Sequence, residues 1–401
     1  MEVYIMEVYI FDAIRTPRGS ARKNGSLRSF KPINLIGLLL KEIVRRNDFD
    51  AKKIDDIILG CVTQTKEQGA NIARVAALHA GLHHSVGGMT VNRFCTSGLD
   101  AISIATQKIA TKTDHLIIAG GVESVSRVPM FSDEGAWFTD REVMQTTQFV
   151  HMGVAADIMA SLYSISRRDV DLYSIESHRR ASRATREGYF IKSLIPVYAQ
   201  DGTLLLTQDE CFLEHVNDTT FSSIEPSFKG GETDKTILSS IPSLTEFTPT
   251  HHWGSSPALA DGASVILIGT KEKGEELGLH PRARIRMTAT TSVHPLLLTG
   301  GQHALAKALD NANLTAKDID IYEYNEAFGA TVLHFINEYN LDHERVNSNG
   351  GVISMGHALG ATGGMLLSTL LDEMERVDYE FGAIGISGGA GVGSAMIIER
   401  V

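Results

Sequence analysis

Asp261-Gly262-Ala263-Ser264-Val265-Ile266-Leu267-Ile268 and Gly391-Val392-Gly393-Ser394-Ala395-Met396-Ile397-Ile398 are two versions of one phrase. Each is a glycine-containing turn that runs into an apolar strand, and each closes one half of the chain. An apolar run without polar alternation marks a strand buried on both faces, as in sheets with helices on either side. Outward from these strands, strand and helix alternate. The first half reads as a strand at 8–11, a turn at 15–19, a helix at 34–46, a strand at 54–61, a helix at 71–80, a helix led by Cys95 and a strand at 115–119. After a Glu/Lys-rich linker at 271–279, the second half reads as a strand at 282–290 and a helix at 303–312. A strand at 319–323, helices at 330–339 and 360–375, and strands at 382–386 and 394–399 complete it. The predicted fold class is α/β, with two similar units side by side. That arrangement places two equivalent helix N-termini near a shared centre, where residues distant in sequence meet.

The stretch 123–249 has a different texture. Only 168–187 reads as a helix, and long polar segments follow it, so it is expected to be a large insertion carried on the sheet. Its basic residues include Arg168, Arg179, Arg180, Arg183, Arg186, Lys192, Lys229 and Lys235. Two readings stand for them: a solvated helix face with i, i+4 ion pairs, or a local surface for a phosphate. The expected division is 6–122 with 250–272, then 123–249, then 280–401. Residues 1–5 repeat as 6–10 and are set aside as a doubled start.

Apolar residues make up 43% of the 401 and charged residues 21%, as in globular enzymes. A formal net charge of -11 argues against a nucleic-acid-binding surface. No apolar run approaches the ~20 residues of a membrane span. The three cysteines, Cys61, Cys95 and Cys211, are widely spaced, which argues against a disulfide framework and for a reducing, cytoplasmic setting. The pairs His83-His84 and His251-His252 lack the i, i+4 spacing of a helical metal site, so no metal is expected.

Four segments carry chemistry. Cys95 lies in Asn92-Arg93-Phe94-Cys95-Thr96-Ser97-Gly98, ahead of an apolar-periodic run. On a first helical turn, free N–H groups and the helix dipole favour a thiolate. The alternative is a half-buried cysteine filling a gap. Asn325-Glu326-Ala327-Phe328-Gly329 places an amide and a carboxylate after a strand; it reads as site polarity, or as an Asn cap with a Glu in the first turn. Asn347–Gly364 surrounds His357 with glycines, giving either a backbone that approaches a ligand or a polar loop. Ser387-Gly388-Gly389-Ala390-Gly391-Val392-Gly393 is an anion-binding nest or a tight turn.

Together with Gly120–Met130 and Ser177-His178-Arg179-Arg180-Ala181, these segments resemble the motifs of the thiolases, in order from about Val8 to Val401. The resemblance implies two half-domains in an α-β-α-β-α layering and an inserted loop domain that binds coenzyme A. It implies Cys95 as nucleophile and His357 as the base that takes its proton. It further implies oxyanion stabilisation by His357 with a water on Asn325, and by the N–H groups of Cys95 and Gly389. Coenzyme A and acyl-CoA are substrates, with no covalently bound cofactor. Met152, Ser240, Ser256 and Phe328 are the implied coenzyme A contacts, and the assembly is a homodimer or homotetramer. Cys61 and Cys211 are given no role.

Three positions depart from that pattern. Ser387 stands where the family has a second cysteine, Ala390 where a glycine is expected, and Ala358 where proline follows the histidine, which is expected to shift the histidine loop. A thiol titrates near ~8.5 and an alcohol near the ~15.7 of water, a gap of roughly 9 kcal/mol. A serine therefore cannot stand in for the thiol as acid and base. Three functions follow: a thiolase with another proton donor or a water at Ser387, a Cys95-dependent acyltransferase or thioesterase with poor carbon–carbon chemistry, or a non-catalytic acyl-CoA-binding protein.

Overall fold

The computed structural model describes residues 6–228, 241, 243–244 and 246–401. The doubled start at 1–5, Ser240, Lys229 and Lys235 lie outside the described residues.

The strands in chain order are β1 Val8–Arg15, β2 Gly19–Ser20, β3 Asp56–Gly60, β4 Met89–Val91, β5 Leu116–Ser124, β6 Val197–Tyr198, β7 Leu204–Leu206, β8 Ala260–Gly269, β9 Ala283–Ser292, β10 Ile321–Tyr324, β11 Phe381–Ser387 and β12 Val392–Arg400. The two echoing phrases are β8 and β12. Each pairs antiparallel with the equivalent neighbour in its own half: β8 with β5 from Gly269↔Leu116 to Asp261↔Ser124, and β12 with β11 from Glu399↔Phe381 to Gly393↔Ser387. On the far side, β5 pairs parallel with β3, and β11 pairs parallel with β10. The repeat extends one step further. β3 meets β4, while β10 meets Val346 in a single parallel bridge. Val8–Ile10 of β1 pairs with Ala283–Ile285 of β9 and joins the halves into one strand path, β10-β11-β12-β9-β1-β8-β5-β3-β4.

Three apolar cores separate the layers. Ile57, Leu59, Val265 and Leu267 meet the Pro32–Asn47 and Ile72–His79 helices on one outer side. Ile58, Ile266 and Ile268 point the other way, into a central core with Ile384, Ile386 and the Ser97–Ala110 and Thr362–Val377 helices. Ala383, Ala395 and Ile397 face the Gly300–Ala312 and Gly329–Tyr339 helices in the third. This is the expected α-β-α-β-α layering. Period-two alternation of apolar side chains on both faces is what makes each strand part of two cores. The Thr362–Val377 helix is buried over its first thirteen residues, as a helix between two sheets must be.

Several boundaries differ from the sequence reading. The first strand runs on to Arg15 because its polar residues have buried partners: Asp12 accepts from Asn47, and Arg15 binds Asp209. The expected linker at 271–279 contains a short helix, Lys271–Glu276. Where one helix was expected in the insertion, the helices Ala136–Thr139, Arg141–Thr146, Met152–Leu162 and Asp218–Ser222 accompany Arg167–Arg186. Most are too short for a helical period to show.

Candidate active site

Cys95 stands in a tight turn between β4 and the Ser97–Ala110 helix. The Asn92 side chain accepts the Phe94 N–H at 2.8 Å, and the Ser97 hydroxyl accepts the Arg93 N–H at 2.8 Å. Phe94 holds a left-handed backbone, φ 50°, a conformation that costs a non-glycine residue about 1–2 kcal/mol and recurs at functional turns. The helix begins at Ser97 with Thr96 as its N-cap, so Cys95 lies ahead of the helix and not on its first turn. The expected thiolate is also corrected. Burial pushes the thiol up to about 11, against the N–H groups of Gly389 and of Cys95 itself, and the Glu123 carboxylate adds to the rise. Loss of solvation outweighs the two N–H donors, and the resting sulfur is a neutral thiol at pH 7.

His357 is 4% exposed. Its Nδ1 bonds the Thr362 hydroxyl at 2.8 Å, while Nε2 has no partner among the described residues. Burial, helped by the Arg18 cation, pushes its pKa down to about 4, so the ring is neutral. Ala358, in place of the family proline, leaves this loop anchored: the His357 N–H donates to the Ala258 carbonyl at 2.7 Å, and the His357 carbonyl accepts from Ala260 at 3.1 Å. Asn325 follows β10 and donates its backbone N–H to the Gly385 carbonyl at 2.8 Å. Its side-chain amide is fully buried, with neither Oδ1 nor Nδ2 bonded. Buried polar atoms without partners are rare enough to need an explanation. Among the described residues, no hydrogen bond joins Cys95 to His357 or Asn325.

Close backbone packing brings the halves together at this point. A Cβ built on Gly98 would lie 2.5 Å from the Gly360 carbonyl oxygen, and one on Gly363 would lie 2.2 Å from the Leu99 nitrogen. The N-termini of the Ser97–Ala110 and Thr362–Val377 helices therefore meet, and only glycine permits the contact. Two buried carboxylates that the sequence reading gave no such role tie the loops. Glu123 accepts the N–H groups of Val62, Thr63 and Gly360 at 2.9, 3.1 and 3.1 Å, and the Gln68 amide at 2.7 Å. Glu326 accepts from Tyr173 at 2.8 Å, Ser177 at 2.9 Å, the Ile353 N–H at 2.9 Å and Asn347 at 3.3 Å. It is not in a first helical turn, since that helix starts at Gly329. It pins the long helix of the insertion to the segment before His357.

Ser387 ends β11 on the face of Ala383, towards the outer core. Its hydroxyl accepts the Gly301 N–H at 2.9 Å and shares a 3.2 Å bond with the Tyr324 hydroxyl. The next residues turn to Cys95. A Cβ on Gly388 would lie 3.5 Å from the Cys95 nitrogen, and Gly389 lines one cleft with Cys95. Ala390 takes the left-handed backbone, φ 56°, that suits the glycine expected there.

Of the implied coenzyme A contacts, Met152 lines the same cleft as Cys95 and Gly389. Phe328 caps the Gly329–Tyr339 helix and packs in the apolar cluster that Met152 borders. The Ser256 hydroxyl donates to the His252 carbonyl at 2.8 Å, within its own turn. Arg180 makes the i, i+4 ion pair with Glu176 at 3.1 Å that the first reading of the basic face expected, but it is buried and also donates to the Val346 carbonyl, while Arg183 donates to the Ser348 carbonyl. His251 and His252 each bind an aspartate of the insertion, Asp157 and Asp171, at 2.7 Å.

Comparison with known proteins agrees with this geometry. The family described as "Thiolase, N-terminal domain" matches residues 8–272, and "Thiolase, C-terminal domain" matches residues 279–400. The chain is similar to the 3-ketoacyl-CoA thiolase of Klebsiella pneumoniae, 38% identical over 98% of this chain and 100% of that protein. It is also similar to that of Cronobacter sakazakii, 37% identical over 98% and 100%. Its backbone is similar to the crystal structure of the Bacillus anthracis acetyl-CoA acetyltransferase, with a TM-score of 0.86, 29% identity and full coverage of both chains. Matched from end to end in both halves, the chain belongs to the thiolase family.

Proposed function

We propose that this chain cleaves 3-ketoacyl-CoA with coenzyme A, giving acetyl-CoA and an acyl-CoA two carbons shorter, and runs the reverse Claisen condensation when the balance favours it. The observation that carries the proposal is one cleft lined by Cys95 from one half and Gly389 from the other, in a chain whose buried His357 and Asn325 side chains retain unused hydrogen-bonding atoms.

In this mechanism His357 Nε2 takes the thiol proton, because its neutral ring is fixed through Nδ1. Cys95 Sγ attacks the 3-keto carbon. The N–H groups of Cys95 and Gly389 hold the resulting oxyanion. The C2–C3 bond breaks, its electron pair goes to the acetyl-CoA enolate, and the acyl group stays on sulfur. Asn325 polarises the acetyl-CoA carbonyl while His357 returns the proton it took from Cys95 to C2 of the enolate; His357 then takes the proton of the incoming coenzyme A thiol and passes it to Cys95 as that sulfur leaves. Coenzyme A thiol then attacks the acyl-Cys95 thioester and releases the product. Met152, Phe328, Ser240 and Ser256 take the coenzyme A side. The loop domain at 123–249 is read as the coenzyme A-binding insertion between the halves 6–122 with 250–272 and 280–401.

A second reading has one observation in its favour. The Ser387 hydroxyl is engaged by Gly301 and Tyr324, and nothing there replaces the family thiol as proton carrier. Acyl transfer through Cys95 would then outpace carbon–carbon cleavage. The deciding experiment supplies acetoacetyl-CoA or a longer 3-ketoacyl-CoA with free coenzyme A and follows loss of the ketoacyl thioester. Cleavage that disappears in Cys95→Ala supports the thiolase reading. Acylated Cys95 by intact mass without cleavage selects the second, and binding without acylation sinks both.

Among the described residues no helix is long and apolar enough to cross a membrane. We place the protein in the cytoplasm, a reading supported by three unpaired cysteines, and assign it to fatty acid β-oxidation. Assembly as a homodimer or homotetramer is supported by the open edge of β4 and by Val75 and Leu78, exposed on the neighbouring Ile72–His79 helix. Light scattering after size exclusion reads the assembly directly.

A further inference from the structure

The cleft over Cys95 has one wall that the mechanism leaves without a task. Phe94, the residue before the nucleophile, packs its ring 5.0 Å from that of Trp137, and Trp137 meets Phe149 edge-on at 4.8 Å. Trp137 comes from the short Ala136–Thr139 helix of the insertion and lines the cleft beside Cys95 and Gly389. A Cβ built on Gly389 would lie 3.1 Å from its ring and 3.6 Å from the Met152 sulfur. The indole N–H has no hydrogen-bond partner among the described residues, so packing alone holds the ring.

We propose that Trp137 is the specificity-determining stop of the acyl pocket: an apolar acyl tail leaves Cys95 along the Phe94–Trp137–Phe149 wall, and the indole limits its length. The inference rests on the reading of Cys95 as the acylated nucleophile. Its geometry follows from the carbonyl group. With sulfur on one side of the acyl carbon and its oxygen held at the Gly389 and Cys95 N–H groups, the alkyl chain takes the remaining direction. The indole lies against Gly389 itself, so the first methylenes leave in contact with it. An apolar aromatic surface there favours a hydrocarbon tail over a charged or hydroxylated one.

The test uses Cys95 acylation by saturated acyl-CoAs of six to sixteen carbons, followed by intact mass, beside thiolysis of the matching 3-ketoacyl-CoAs. Acylation needs no carbon–carbon chemistry, so loss of thiolysis alone counts against the thiolase reading and leaves this inference standing. Each buried methylene is worth about fourfold, so room for two more should raise the long-to-short ratio of acylation rates by about sixteenfold in Trp137→Ala. Trp137→Phe keeps an aromatic wall and loses no hydrogen bond; it should shift the ratio the same way by about threefold, and it decides the matter if the alanine variant does not fold. Ratios within twofold of the unmodified protein overturn the proposal. So does failure of any acyl-CoA to acylate Cys95.

Discussion

Cys95 and His357 are both uncharged at rest, each driven there by burial. This separates the site from cysteine enzymes that hold a thiolate–imidazolium pair before substrate arrives. The sign follows directly. A thiol raised to about 11 gains thiolate roughly tenfold per pH unit up to that value. Alkylation of Cys95 by iodoacetamide should therefore keep rising from pH 7 to pH 10, with no step near 6.5, because His357 protonates only near 4. A plateau reached by pH 7 would mean that the pair is pre-formed. Ser387→Cys tests the neighbouring position. It restores a thiol where only an alcohol stands, so thiolysis should rise at least tenfold relative to exchange of acetyl groups between coenzyme A molecules, both measured at pH 8. Equal change in both would remove Ser387 from the proton-transfer argument. At this scale the sequence singled out Cys95, His357, Asn325 and Gly389 because each sits in a dense local motif, and their shared role is part of the proposal. Glu123 and Glu326 were not read as anchors, because three of Glu123's four donors lie 55 or more residues before it in the chain and the fourth lies 237 after it, and two of Glu326's lie about 150 away.

At the scale of elements, the turn between β11 and β12 and the two loops tied by carboxylates carry the site. Ala390 takes a left-handed backbone there, and its cost of about 1–2 kcal/mol exceeds the roughly 0.5–1 kcal/mol of chain entropy that glycine adds. Ala390→Gly should accordingly raise stability by about 0.5–1 kcal/mol in urea unfolding; a loss would show that the methyl group packs favourably. Glu326→Ala acts in the opposite direction. It removes the acceptor of the Tyr173 and Ser177 hydroxyls, the Asn347 amide and the Ile353 N–H, at about 1–3 kcal/mol for each left unsatisfied, although Asn347 still donates to the Tyr324 carbonyl and Ser177 still meets Ser354. Partial rebonding should hold the total loss to about 3–5 kcal/mol, and thiolysis should fall because the segment before His357 loosens. The central strands and long helices were readable from apolar period. The ends of β1 were not, since Asp12 and Arg15 read as surface residues until their partners are known. The helix at Met152–Leu162 escaped because its Gly/Ala-rich sequence has little polar contrast from which to read a face.

Over the whole molecule, two halves and an insertion must hold one small site in register, and a buried ion pair ties the insertion to the first half. Asp209 binds Arg15 at 2.8 and 3.0 Å and Arg18 at 3.1 Å, and also accepts the Arg18 backbone N–H at 2.7 Å. All three side chains are almost fully buried. The layered fold was legible from the repeated apolar phrase; this tie was not, because 191 residues separate Arg18 from Asp209 and one aspartate in a polar insertion carries no pattern. Arg18 also adds its charge to the burial that keeps His357 neutral, so the tie reaches the site. Burial alone would raise the Asp209 carboxyl, but the two guanidinium groups overcome it and hold the carboxyl below its ordinary value. A depressed carboxyl stabilises the fold at pH values above its unfolded value of about 3.9, and that contribution is lost as pH falls through the folded value. Asp209→Asn leaves two buried cations without an anion and should cost about 3–5 kcal/mol at pH 7. The difference between the variant and the unmodified protein in urea unfolding should shrink as pH is lowered from 5 towards 3. A difference that stays constant with pH would show that the aspartate acts through packing and not through its charge.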